Sequence, residues 1–62
     1  MMWKGKVTEE LIDLYKQYHE LFPDGYPDEY EEIEYYAMTY NEFISFIKEC
    51  IKKKKEMPYI VP

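Results

Sequence analysis

The amino-acid sequence predicts a small all-α domain, and three observations predict it. Apolar side chains recur at helical spacing in two stretches, about residues 8 to 22 and 39 to 54. A threonine suited to capping a helix opens each stretch. A proline follows each, Pro23 and Pro58, and disfavours helix in the residue before it. The architecture expected is an antiparallel two-helix pair, joined by an ordered acidic linker that includes a short third helix and closed by an extended C-terminal tail. The alternative is a small α+β fold, with a two-stranded sheet pairing residues 33–38 with residues 59–61.

The first helix is well marked. The Thr8 hydroxyl is placed to accept from an early helical N–H group. Glu9 and Glu10 follow, where negative charge complements the helix dipole. Leu11, Leu14, Tyr15, Tyr18, Leu21 and Phe22 then form the apolar stripe, widened by Ile12, while Asp13, Lys16, Gln17 and Glu20 take the other face.

Residues 23–27, PDGYP, are turn chemistry: proline fixes its own φ and glycine permits positive φ. Pro27 suits the first position of a short helix, which would set Tyr30, Ile33, Tyr36, Ala37 and Tyr40 on one face. The same residues also alternate as a strand would, so periodicity leaves the choice open.

The second long helix has the clearest start. Thr39-Tyr40-Asn41-Glu42 matches a capping box, and Met38 and Phe43 suit the accompanying hydrophobic staple. Phe43, Phe46, Ile47, Cys50 and Ile51 form its stripe, with Ile44 beside it. Lys52 to Lys55 end it with charge that complements the dipole. The apolar tail MPYIVP is expected to fold back over the helices, with Trp3 and Val7 covering the core from the other end.

Length and composition bound the rest. A chain of 62 residues is read as a single domain, 1–62. With 47% hydrophobic and 19% aromatic residues it is expected to fold. Its margin is thin at this size, so helix caps, well-placed aromatics or self-association must contribute. Cys50 is the single cysteine, so no internal disulfide forms, which fits a reducing compartment. The N-terminus lacks the apolar run of a signal peptide and no stretch is apolar enough to span a membrane, so a cytoplasmic location is expected.

The net charge of −5 is uneven. Residues 1–38 hold three lysines against ten carboxylates; residues 39–62 hold five lysines against three. So acidic a chain is a poor nucleic-acid binder overall. One His and one Cys do not make a zinc set. The carboxylates of DGYPDEYEE lack the ligand pattern of a calcium loop, so no metal and no cofactor is expected. His19 and Cys50 are the only imidazole–thiol pair. Cys50 sits on an apolar stripe, where a thiol behaves as a small buried hydrophobe, so the chain is not expected to be an enzyme.

The strongest functional signal is the run PDGYPDEYEEIEYY, residues 23–36. Tyrosine suits interfaces because it joins a large rigid apolar body to a polar tip. The candidate partner-binding residues are Tyr26, Asp28, Glu29, Tyr30, Glu31, Glu32, Glu34 and Tyr35, facing a basic protein surface. The competing reading packs the tyrosines inward, with Ile33 and Tyr36 entering the core, and leaves the carboxylates to water. Two rival functions are a self-associating homo-oligomeric subunit and contact with a nucleic acid or anionic surface through Lys52–Lys55.

The string MTYNEFISFIKECIKKKKEMPYIVP, with LYKQYHELFPDGYP before it, resembles short uncharacterised bacterial proteins, some encoded on conjugative elements. The resemblance implies a bacterial accessory protein and brings no function or site residue with it.

Overall fold

The computed structural model describes residues 3–59. Helix α1 spans Glu9–Leu21 and helix α2 spans Tyr40–Lys53. Two single 3-10 turns, Tyr35–Ala37 and Met57–Tyr59, complete the regular structure, and no strand occurs among the described residues. The fold is therefore all-α. The alternative sheet is not formed by residues 33–38, which turn rather than extend; most of its proposed partner strand lies outside the described residues.

Both helix starts follow from their caps. The Leu11 backbone N–H donates to the Thr8 hydroxyl at 3.2 Å. In α2 the Glu42 N–H donates to the Thr39 hydroxyl at 3.1 Å, and the Thr39 N–H donates to the Glu42 carboxylate at 3.0 Å. These bonds satisfy donors that a helix end otherwise leaves without partners. Helix α1 stops at Leu21, two residues before Pro23. Helix α2 ends at Lys53, and the capping Lys54 turns into the left-handed region at φ 55° and donates its N–H to the Cys50 and Ile51 carbonyls.

The sense of the helix pair differs from the expectation. Like ends lie together. The Thr8 hydroxyl meets the Tyr40 hydroxyl at 2.5 Å, so the two helix starts are neighbours. At the other end Phe22 shares a groove with Lys54 and Lys55. An antiparallel pair of helices this long would hold Thr8 and Tyr40 about 20 Å apart. The linker makes the difference. An antiparallel pair is the solution for a short connection; eighteen residues separate Leu21 from Tyr40, enough chain to run back along α1 before α2 begins.

The core is a single cluster: Leu11, Leu14 and Tyr18 from α1; Ile33 and Tyr35 from the linker; Phe43, Ile44, Ile47 and Cys50 from α2; and Met57 behind it. Phe43 is its hub. Trp3 stacks on it at 4.4 Å between ring centroids, and Tyr15 and Tyr35 approach it edge-on at 6.2 and 5.6 Å. Trp3 thus covers the core as expected, whereas Val7 is 64% exposed. Gly5 makes the Trp3 placement possible, since a Cβ there would overlap the indole ring. Of the expected extended tail, Met57–Tyr59 form a 3-10 turn with Met57 fully inserted into the core, and residues 60–62 lie outside the described residues.

Candidate functional site: the acidic linker and its flanking clefts

The linker is a succession of tight turns. Gly25 N–H bonds to the Phe22 carbonyl, Glu29 to Tyr26, Ile33 to Tyr30 and Ala37 to Glu34, at 3.0 to 3.3 Å. The expected short helix shrinks to one 3-10 turn, Tyr35–Ala37. A chain that turns every few residues presents its side chains to different sides. The eight candidate residues accordingly divide.

Tyr35 belongs to the core, at 1% exposure. Its hydroxyl donates to the Pro27 carbonyl and accepts from the Tyr30 N–H. Tyr36 is 75% exposed. The inward and outward assignments of these two neighbours are therefore the reverse of the expectation. Ile33 does enter the core. Tyr30 is half-buried and serves the fold. Its hydroxyl donates to the Glu56 carboxylate at 2.9 Å and lies 2.5 Å from the Tyr18 hydroxyl. A phenol has one proton to give, so Tyr18 must donate to Tyr30, and the Tyr18 oxygen is left to accept from the Met57 N–H at 3.2 Å. This chain of three bonds joins α1, the linker and the residues after α2, and it ends on a charged acceptor, the arrangement that strengthens each bond.

Four candidates face water as expected: Glu29, Glu31, Glu32 and Glu34. Tyr26 is 41% exposed and stacks on His19, with ring centroids 4.8 Å apart. None of these carboxylates has a cationic side chain within ion-pair distance among the described residues, where the ion pairs are Lys48–Glu10 and Lys53–Glu49. The four form a solvated, unneutralised acidic face anchored by Ile33 and Tyr35 beneath it.

Asp28 is the exception. It is 9% exposed, the one buried charged residue of the core region. It lies in a cleft of about 130 Å³ with Trp3, Val7, Leu11, Ile12 and Tyr15. Burial, and then the adjacent Asp28 charge, raise the Tyr15 phenol above its ordinary range. On the other side of the linker an open groove of about 360 Å³ runs between Leu21, Phe22 and Pro23 and the carboxylates of Asp24, Glu29 and Glu56.

The remaining titratable groups are placed by the core and the helix ends. Cys50 is fully buried with its thiol on the Met57 sulfur at 3.7 Å, and burial pushes it up to about 11, so it is a poor nucleophile at neutral pH. His19 faces Tyr26 and the Gly25 carbonyl instead; no Cys–His pair forms. Lys52–Lys55 are exposed; Lys53 pairs with Glu49 at 3.2 Å and Lys54 ends the helix, as a solvated helix terminus requires. Among the described residues, no three His, Cys, Asp or Glu side chains gather as a metal site, and no helix is long and apolar enough to cross a membrane.

The residues around Asp28 had no signal in the sequence, because Trp3, Ile12 and Asp28 lie on three separate segments. The competing reading puts Tyr36 in the core by a helical register, which the turning linker does not follow. Compared with family models, curated proteins and solved structures, the chain matches none of them.

Proposed function

We propose that this chain is a non-enzymatic protein-interaction module of the cytoplasm, whose acidic linker face engages a basic protein surface. The observation that supports it best is the set Glu29, Glu31, Glu32 and Glu34: four exposed, unneutralised carboxylates on a short segment whose backbone is pinned by buried Ile33 and Tyr35. Like charges held this close repel one another, and a basic partner relieves that repulsion. Tyr26 and Tyr36, each partly or largely exposed, flank the carboxylates and supply rigid apolar contact area. Pinning limits the ordering cost that a flexible acidic segment would meet on binding.

The face supplies association rate and specificity more than affinity, since its charges stay in water. Binding to a basic partner should weaken steeply as salt rises, over the range in which the Debye length shrinks below about 10 Å. Replacing Glu29, Glu31, Glu32 and Glu34 together by glutamine should slow association about ten-fold or more at low salt while dissociation changes little. Surface-plasmon kinetics against basic peptides read both rates, and an unchanged association rate at low salt would rule the proposal out.

A further inference from the structure

The cleft at Asp28 has a chemistry that the fold does not use. Its wall is apolar and aromatic: Trp3, Leu11, Ile12, Tyr15 and Val7. Its mouth is formed by side chains left uncovered, Val7 at 64% and Ile12 at 48% exposure. Asp28 is 9% exposed as a residue and lines the same space. No lysine, arginine or histidine lies within ion-pair distance of it among the described residues. The Tyr15 and Tyr35 phenols lie near it, whereas a carboxylate offers about four acceptor sites. A carboxylate set in an apolar and aromatic wall complements a cation arriving from outside.

We infer that the Asp28 cleft is an anchor pocket for a single cationic side chain, lysine or arginine, of a partner protein. A volume of about 130 Å³ is well below the ~300 Å³ at which small-molecule sites begin, so the space suits one side chain. Lysine and arginine have the required form, an apolar stem behind a charged head. The stem lies along Ile12 and Val7, and the head meets the Asp28 carboxylate beside the Trp3 and Tyr15 rings, whose faces also attract cations. This inference rests on the reading of the chain as a module for basic partners, and adds to it the point where binding energy concentrates: a carboxylate in an apolar surround, with the exposed carboxylates outside it.

Trp3 is the only tryptophan, so its emission reports on the cleft alone. The full chain is titrated with tetralysine amide, and with the same peptide acetylated on its four side chains, following Trp3 fluorescence and the overall binding isotherm together. The expected result is a saturable Trp3 response to tetralysine and none to the acetylated form. In Asp28→Asn the affinity falls five-fold or more and the Trp3 response disappears. Ile12→Lys changes an already exposed position and sets a cation of the chain's own at the mouth. It should abolish the Trp3 response as well, and it keeps the test decisive if Asp28→Asn does not fold. Tetralysine binding that leaves both variants with the wild-type Trp3 response would overturn the anchor. If that binding is still lost in the Glu29, Glu31, Glu32 and Glu34 glutamine variant, the acidic-face reading survives without it. Wild-type chain that binds no tetralysine at low salt overturns both.

Discussion

At the scale of single residues, the neighbours Tyr35 and Tyr36 show how little identity decides by itself. Both are tyrosines in the same 3-10 turn. Tyr35 is at 1% exposure with its hydroxyl on the Pro27 carbonyl, and Pro27 is itself fully buried. Tyr36 stands 75% exposed, with no core contact to lose. Truncating one phenol to phenylalanine therefore has a different consequence from truncating the other. Tyr35→Phe leaves the Pro27 carbonyl buried without its donor, which costs about 1–3 kcal/mol. Tyr36→Phe should fall within about 0.5 kcal/mol of the parent. Urea denaturation of the two variants side by side checks the contrast; equal midpoints would contradict the burial of Tyr35. The same logic separates the candidate binding residues. Tyr30 and Tyr35 are buried wholly or in part and serve the fold, whereas the carboxylates around them, with Tyr26 and Tyr36, are exposed.

At the scale of elements, the two long helices were legible because their signals are local. Thr8 and Thr39 cap within three residues, and the apolar stripes repeat within each helix. The linker was not legible in the same way. Its conformation is set by what it packs against, Ile33 and Tyr35 on the α1–α2 pair, and by the Tyr30 bond to Glu56 far along the chain. The relative sense of the helices is likewise a consequence of linker length, which periodicity does not read. The acidic face could be found in the sequence, being contiguous; the Asp28 cleft could not, being assembled from three segments. One element boundary is conformationally suboptimal. Lys54 ends α2 in the left-handed region, at φ 55°. An L side chain there costs roughly 1–2 kcal/mol, and glycine avoids that at an entropic cost of about 0.5–1 kcal/mol in the unfolded chain. Lys54→Gly should therefore stabilise the domain by ~0.5–1 kcal/mol, visible as a raised denaturation midpoint with an unchanged slope. Lys54 is exposed and outside the acidic face, so affinity for a basic partner should not fall.

At the scale of the whole molecule, the core is built as much from phenols as from aliphatic side chains, and that gives the domain a pH limit. Tyr15, Tyr18, Tyr30 and Tyr35 all have their ionisation raised, each chiefly by burial, with nearby carboxylates adding to it. The Cys50 thiol is raised to about 11 by the same cause. In the unfolded chain the thiol ionises near ~8.5 and the phenols near ~10. Below those values both states are protonated and stability does not depend on these groups. Above them the unfolded state sheds protons that the native state retains, so stability falls as pH rises. Each group steepens the fall by at most about 1.4 kcal/mol per pH unit, and by less for the half-buried Tyr15 and Tyr30, whose surroundings admit water. Five such groups acting on a domain of this size are enough to unfold it in one step. Stability should be flat from pH ~7 to ~8.5, decline gently to ~10, and collapse before ~11.5, with the phenols ionising cooperatively as the helical circular dichroism is lost. Tyr18→Phe offers the control at the centre of the hydrogen-bond chain. Its midpoint at neutral pH is lowered by the bonds it gives up, yet its alkaline limb should be shallower by one group. The chain has eight tyrosines, so phenolate absorbance exceeding half of the total well below the pH at which the helices melt would contradict the burial of these four hydroxyls, because it would show them ionising while the fold is intact.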